Sequence, residues 1–155
     1  MQKISADLQR TVTAFYAKHQ DIKNPIAAKR PKRGEWSLNE ILGHLINSAS
    51  NNQQRFLGLQ FVTEMQFPPY QKYHLDWIGA EKLNKLKFDD LFLLRKQYNI
   101  LVAHLITSID PDALYHVLIM DDGRRVPLKD LAADYLKHMK IHLKQFEETL
   151  IAVTQ

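Results

Sequence analysis

The chain has 155 residues, 45% of them hydrophobic and 25% charged, with a formal net charge of +4. This length suits one domain over residues 1–155 with a single core, and the apolar fraction excludes a disordered chain. There is no cysteine, so disulfides and thiolate metal ligands are excluded, and a cytoplasmic location is expected.

The first predicted helix runs from about Gln2 to His19, with Ile4, Leu8, Val12, Phe15 and Tyr16 at helical spacing. Its alternation of charge and apolar residues reads as neither a signal peptide nor an anchor, and no later run is long enough to span a bilayer. The loop after it contains Pro25 and Pro31 and carries the densest charge, "KRPKR" at Lys29 to Arg33. Runs of this kind are usually solvated loops, and with no recognisable nucleic-acid motif in the chain, nucleic-acid binding is not expected.

The second helix start is well marked. In "WSLNEI", Ser37 is placed as N-cap with Glu40 three residues later, a capping box, and Trp36 and Ile41 can staple across it. Leu38, Leu42, Leu45, Ile46, Ala49, Phe56 and Leu57 then mark an apolar face to about Gly58. A long connection follows, from Phe61 to Lys87, holding Pro68, Pro69, Tyr70, Tyr73 and Trp77 and a short helical piece near "AEKLNKL". Connections of this length tend to be functional or to cover a pocket.

The third helix is predicted from about Asp89 to Ser108. "DDGRRVP" (Asp121 to Pro127) is a turn by its Asp-Gly pair and can form a small hairpin between "YHVLIM" and "RRV". Pro127 is placed in the first turn of a fourth helix that continues to about Val153. Four amphipathic helices without a convincing strand set point to an all-α, four-helix bundle. The second-to-third connection is either a crossover or an excursion over one end.

On the fourth helix, Leu131, Tyr135, His138, His142, Gln145 and Thr149 share one row, and Lys137, Lys140, Lys144 and Glu148 face water. His138 and His142 therefore turn toward the bundle. At i and i+4 their imidazoles can converge on one borderline divalent ion. On the second helix His44 flanks the apolar face, and Ser48, Asn51 and Arg55 extend a polar stripe from it. His44 is either a core-edge histidine bonded to a carbonyl or a further ligand. His19, His74, His104 and His116 have no partner at ligand spacing and read as structural.

The stretches "GEWSLNEILGHLINSASNNQQRF", "FPPY", "DW", "QYN" and "DYLKHMKIHLKQF", in this order, resemble the DinB superfamily, which includes the YfiT-like proteins. The resemblance implies a four-helix bundle whose divalent metal is held by His44, His138 and His142. Zinc or nickel is the first expectation, with iron or manganese as alternatives. Relatives often carry an acid three residues after the first histidine, where this chain has Asn47.

The resemblance also implies a small-molecule substrate. Members include S-transferases that use low-molecular-weight thiols, the favoured expectation, and metal-dependent hydrolases; a non-catalytic metal-binding bundle is the bland alternative. A homodimer is compatible with the family. Asn51 and Arg55 are either anchors for an anionic or polar substrate group or a solvent-facing stripe. Tyr135 either bonds an oxygen at the ion or packs its ring, and Trp77 and Tyr73 either roof the site or tether the loop.

Overall fold

The computed structural model describes residues 1–67 and 70–155, with side chains for all of these except 70–72. Pro68 and Pro69, in the first half of the expected long connection, lie outside the described residues. Four long helices carry the architecture: α1 (Gln2–His19), α3 (Leu38–Gly58), α5 (Phe88–Thr107) and α6 (Leu128–Thr154). Around them lie α2 (Asn24–Ala27), β1 (Glu64–Gln66), α4 (Tyr70–Glu81), β2 (Val117–Ile119), β3 (Arg125–Pro127) and two 3-10 turns, Leu83–Lys85 and Pro111–Tyr115.

Local chemistry sets the helix ends. The Glu40 amide donates to Ser37 Oγ at 3.2 Å and the Ser37 amide to Glu40 Oε2 at 2.8 Å, so the capping box is closed. Glu40 is buried and also pairs with Arg30, while Lys29 Nζ donates to the Val153 carbonyl at 3.0 Å. Two cations of the basic run are thus committed within the chain. At the end of α1, Lys18 and His19 complement the helix dipole and both reach Glu147 Oε1, at 2.6 and 3.2 Å. The fourth long helix starts one residue later than expected, with Pro127 as its N-cap.

α1 packs on α5, α5 on α3, α3 on α6, and α6 closes the ring against α1. Consecutive long helices α1 and α3, and likewise α5 and α6, therefore face each other across the ring. α3 and α5 are neighbours, so the connection between them is an excursion. The centre is aromatic: Phe15 meets Phe146 edge-on at 5.1 Å between centroids, and Phe92 stacks on Phe146 at 6.2 Å. Arg95 is buried among them, its guanidinium over the Phe15 ring at 5.1 Å and Nη2 3.5 Å from Met139 Sδ. Burial pushes its pKa down to about 10.

The excursion departs from the expected loop. It contains the twelve-residue helix α4, and the anticipated helical piece takes in its last two residues, Ala80 and Glu81, and the 3-10 turn at Leu83. It is pinned to α3 by Leu83, whose Cδ1 would lie 2.0 Å from a Cβ at Gly43, so only glycine permits this approach. Ser37 Oγ donates to Asn84 Oδ1 at 2.6 Å and Asn47 Nδ2 to Glu81 Oε1 at 2.9 Å. The hairpin β2–β3 forms, with Gly123 in the left-handed region (φ +80°) of its turn. A third strand, β1, pairs parallel with β2. The strands were underestimated, but the sheet is minor beside the helical bundle. No helix among the described residues is long and apolar enough to cross a membrane.

Candidate metal centre

α3 and α6 pack side by side, which brings the α3 histidine against the α6 pair. His44 Nε2 lies 3.3 Å from His138 Nε2, and His142 Nε2 lies 3.1 Å from the same atom. His44 is buried; His138 and His142 are partly exposed. Three nitrogens held at 2.0–2.1 Å from a tetrahedral ion stand about 3.3–3.4 Å apart, and about 3.0 Å apart at right angles. The observed spacings fall in that range.

Protons alone do not satisfy this arrangement. His138 Nε2 has either one hydrogen or one lone pair in the ring plane, yet two nitrogens crowd it. His142 Nδ1–H donates to Gln145 Oε1 at 2.7 Å, which leaves His142 Nε2 a bare lone pair. Burial, and secondarily the neighbouring imidazoles, push the pKa of His44 down to about 3. The same causes lower His138 to about 4, and burial lowers His142. Neutral imidazoles with converging lone pairs are the protonation state that metal ligation requires. The donor set therefore fits a divalent cation.

Trp36 sits against the cluster, its ring 5.1 Å from His44 and stacked 6.4 Å from His142. The expected staple residue thus also walls the site. His74, read from sequence as structural, comes from α4 to within 5.7 Å of the His44 ring, outside the converging group. No spacing in the sequence signals this, because it depends on where the excursion folds back.

A cavity of about 600 Å³ opens from the histidines and is lined by Ser48, Asn51, Arg55 and Tyr135 as well. Trp77 does not line it and is 45% exposed. The Tyr135 hydroxyl donates to Asn99 Oδ1, and burial pushes its pKa up. Asn47 Nδ2 donates to both Glu81 carboxylate oxygens, and Asn47 is not among the residues lining the cavity. Met120, Arg124, Val126 and Asp134, none of them anticipated, complete one wall. A second hollow of about 660 Å³ shares Trp36, His74 and His142 with the first.

No protein-family model matches the sequence, and no curated protein matches it. The fold does have solved counterparts. One is YfiT from Bacillus subtilis, described as a probable metal-dependent hydrolase with an unusual four-helix bundle topology. It superposes with a TM-score of 0.82 at 15% identity, over 95% of this chain and 83% of that one. Another is the mycothiol-dependent maleylpyruvate isomerase, with a TM-score of 0.70 at 17% identity. The match covers 92% of this chain but only 59% of the isomerase; a histidine-to-alanine variant of the isomerase matches with a TM-score of 0.71. By fold, this chain is a four-helix bundle like that of YfiT.

Proposed function

We propose that this chain is a divalent-metal-dependent enzyme that transfers a low-molecular-weight thiol to a small-molecule acceptor, with His44, His138 and His142 holding the ion. The observation that carries this reading is the convergence of three Nε2 atoms at 3.1–3.3 Å on His138, where the single proton or lone pair of His138 Nε2 cannot serve both neighbours. Zinc or nickel suits three imidazoles best. When bound, such an ion supplies a Lewis acid that lowers the pKa of a thiol or water beside it.

The protein's own residues do the rest. Gln145 fixes the His142 tautomer, and the Trp36 and His74 rings pack against His44. Two hollows meeting at His142 suit a reaction with two reactants, which favours transfer over hydrolysis. Hydrolysis is the second reading, and one observation favours it: Asp134, one turn before His138, is a carboxylate in the cavity lining. The names of the structural neighbours support both readings, a probable hydrolase on one side and a thiol-dependent isomerase on the other.

The test is metal analysis of protein purified without chelator or histidine tag, beside His138→Ala/His142→Ala. The expected result is close to one ion per wild-type chain and almost none in the double variant, with helical circular dichroism unchanged. Loaded protein then consumes thiol with an electrophilic acceptor, and Asp134→Asn leaves that rate intact. Absence of metal in both proteins, with no uptake of added zinc or nickel, ends the enzyme reading.

A further inference from the structure

The cavity has a second charged end. Arg55 lies eleven residues after His44 on α3, which is three turns on, on the same face, and about 16 Å along the axis. Both residues line the same cavity. The guanidinium carbon lies over Phe67, 5.1 Å from the ring centroid, and its Nε is buried with no hydrogen-bond partner. Burial is the largest influence on its charge and opposes it; Asp121 supports the charge from longer range. A desolvated cation without an acceptor is costly unless an anion completes it. Among the described residues lining the cavity, the other cation, Arg124, is 70% exposed and already paired with Asp122 at 2.6 Å.

The middle of the cavity is complementary in a different way. The Asn51 and Asn52 amide nitrogens are spent on the helix, donating to the Asn47 and Ser48 carbonyls at 2.8 and 2.9 Å. Their side-chain oxygens remain to accept, so this zone favours hydroxyl or amide N–H groups.

We propose that Arg55 is the carboxylate anchor of the cavity. The ligand carries its reacting group at His44, His138 and His142, donor groups in between, and a carboxylate on the order of 10 Å away, once the contact distances at the two ends are taken from the axial separation. The planar fork of Arg suits a carboxylate. The proposal rests on the thiol-transfer reading only for the identity of the reacting end. A purely structural Arg55, complementing the C-terminal dipole of α3, predicts a loss of stability without any change in ligand preference.

The experiment is calorimetric titration of zinc-loaded wild type, Arg55→Gln and Arg124→Gln with 8-mercaptooctanoate, 8-mercapto-1-octanol and octanoate. The expected result is that the mercaptocarboxylate binds wild type at least about tenfold more tightly than the mercaptoalcohol. That ratio falls to about one in Arg55→Gln and is unchanged in Arg124→Gln. Arg55→Met, which keeps the stem over Phe67, takes the place of the glutamine variant if that one does not fold. Equal binding of the two thiols to wild type, or a preference that survives loss of Arg55, overturns the anchor while leaving the metal and thiol reading intact. Octanoate that binds through Arg55, with no gain from adding a thiol, sustains the anchor and removes the thiol reading. No binding of any of the three removes both.

Discussion

At His142 the two ring nitrogens have separate tasks: Nδ1–H is held by Gln145 Oε1, and Nε2 points at its neighbours. Gln145→Leu is therefore expected to weaken zinc or nickel binding by about tenfold with the fold intact, read by competition with a chromophoric chelator. An unchanged affinity would show that the tautomer is set by something else. Glu40 makes a different prediction. Burial pushes its carboxyl up, but Arg30 and the Ser37 cap outweigh that and hold it below its usual value. A lowered carboxylate pKa stabilises the fold above the unfolded value and loses that contribution as pH falls through the folded one. Glu40→Gln is expected to cost about 1–2 kcal/mol at pH 7 by urea unfolding, with the gap from wild type narrowing toward pH 3. The α6 histidine pair and the Ser37–Glu40 box were legible because both are local spacings on one helix. His74 was not, since its place beside His44 is set by tertiary folding of a segment with no periodic link to either histidine helix.

Among elements, the excursion between α3 and α5 is the least predictable and the most dependent on single contacts. α4 escaped detection because it lacks a clean stripe: Leu75 and Trp77 are exposed and Ile78 is buried. β1 is not legible because an alternation over three residues is too short to stand out, and its partner strand lies more than fifty residues on. The four long helices, in contrast, carry apolar faces that are written in the sequence, although α3 is buried on every side from Leu38 to Leu45. Where the excursion meets α3, Gly43 leaves room for Leu83. Alanine is the better helix former by about 1 kcal/mol. Even so, Gly43→Ala is expected to destabilise by about 1 kcal/mol net, because overpacking against Leu83 costs more. In a Leu83→Ala background the same change should turn stabilising. A double-mutant cycle measures this, and additivity of the two changes would mean that Leu83 does not touch Gly43.

For the molecule as a whole, an ion at the three histidines would tie α3 to α6 across their interface. At a hundredfold excess over its dissociation constant, such a ligand adds about 2.7 kcal/mol, or about 5–10 °C in melting temperature for a chain of this size. Wild type is expected to show that rise on adding zinc or nickel, and His138→Ala/His142→Ala to show none, by thermal circular dichroism. The ring order of the helices has a consequence for how the chain is made. Because α1 packs chiefly on α5 and α6, its neighbours are synthesised last; the bond from Ser5 Oγ to the Ala103 carbonyl, 2.7 Å long, closes a separation of 98 residues. α1 thus emerges with an apolar face and no partner until α5 follows, when α1–α5 and α3–α5 become the first pairs able to dock. Folding should be slower than in a bundle of sequential hairpins, and α1 is the segment a nascent-chain chaperone would have to cover longest.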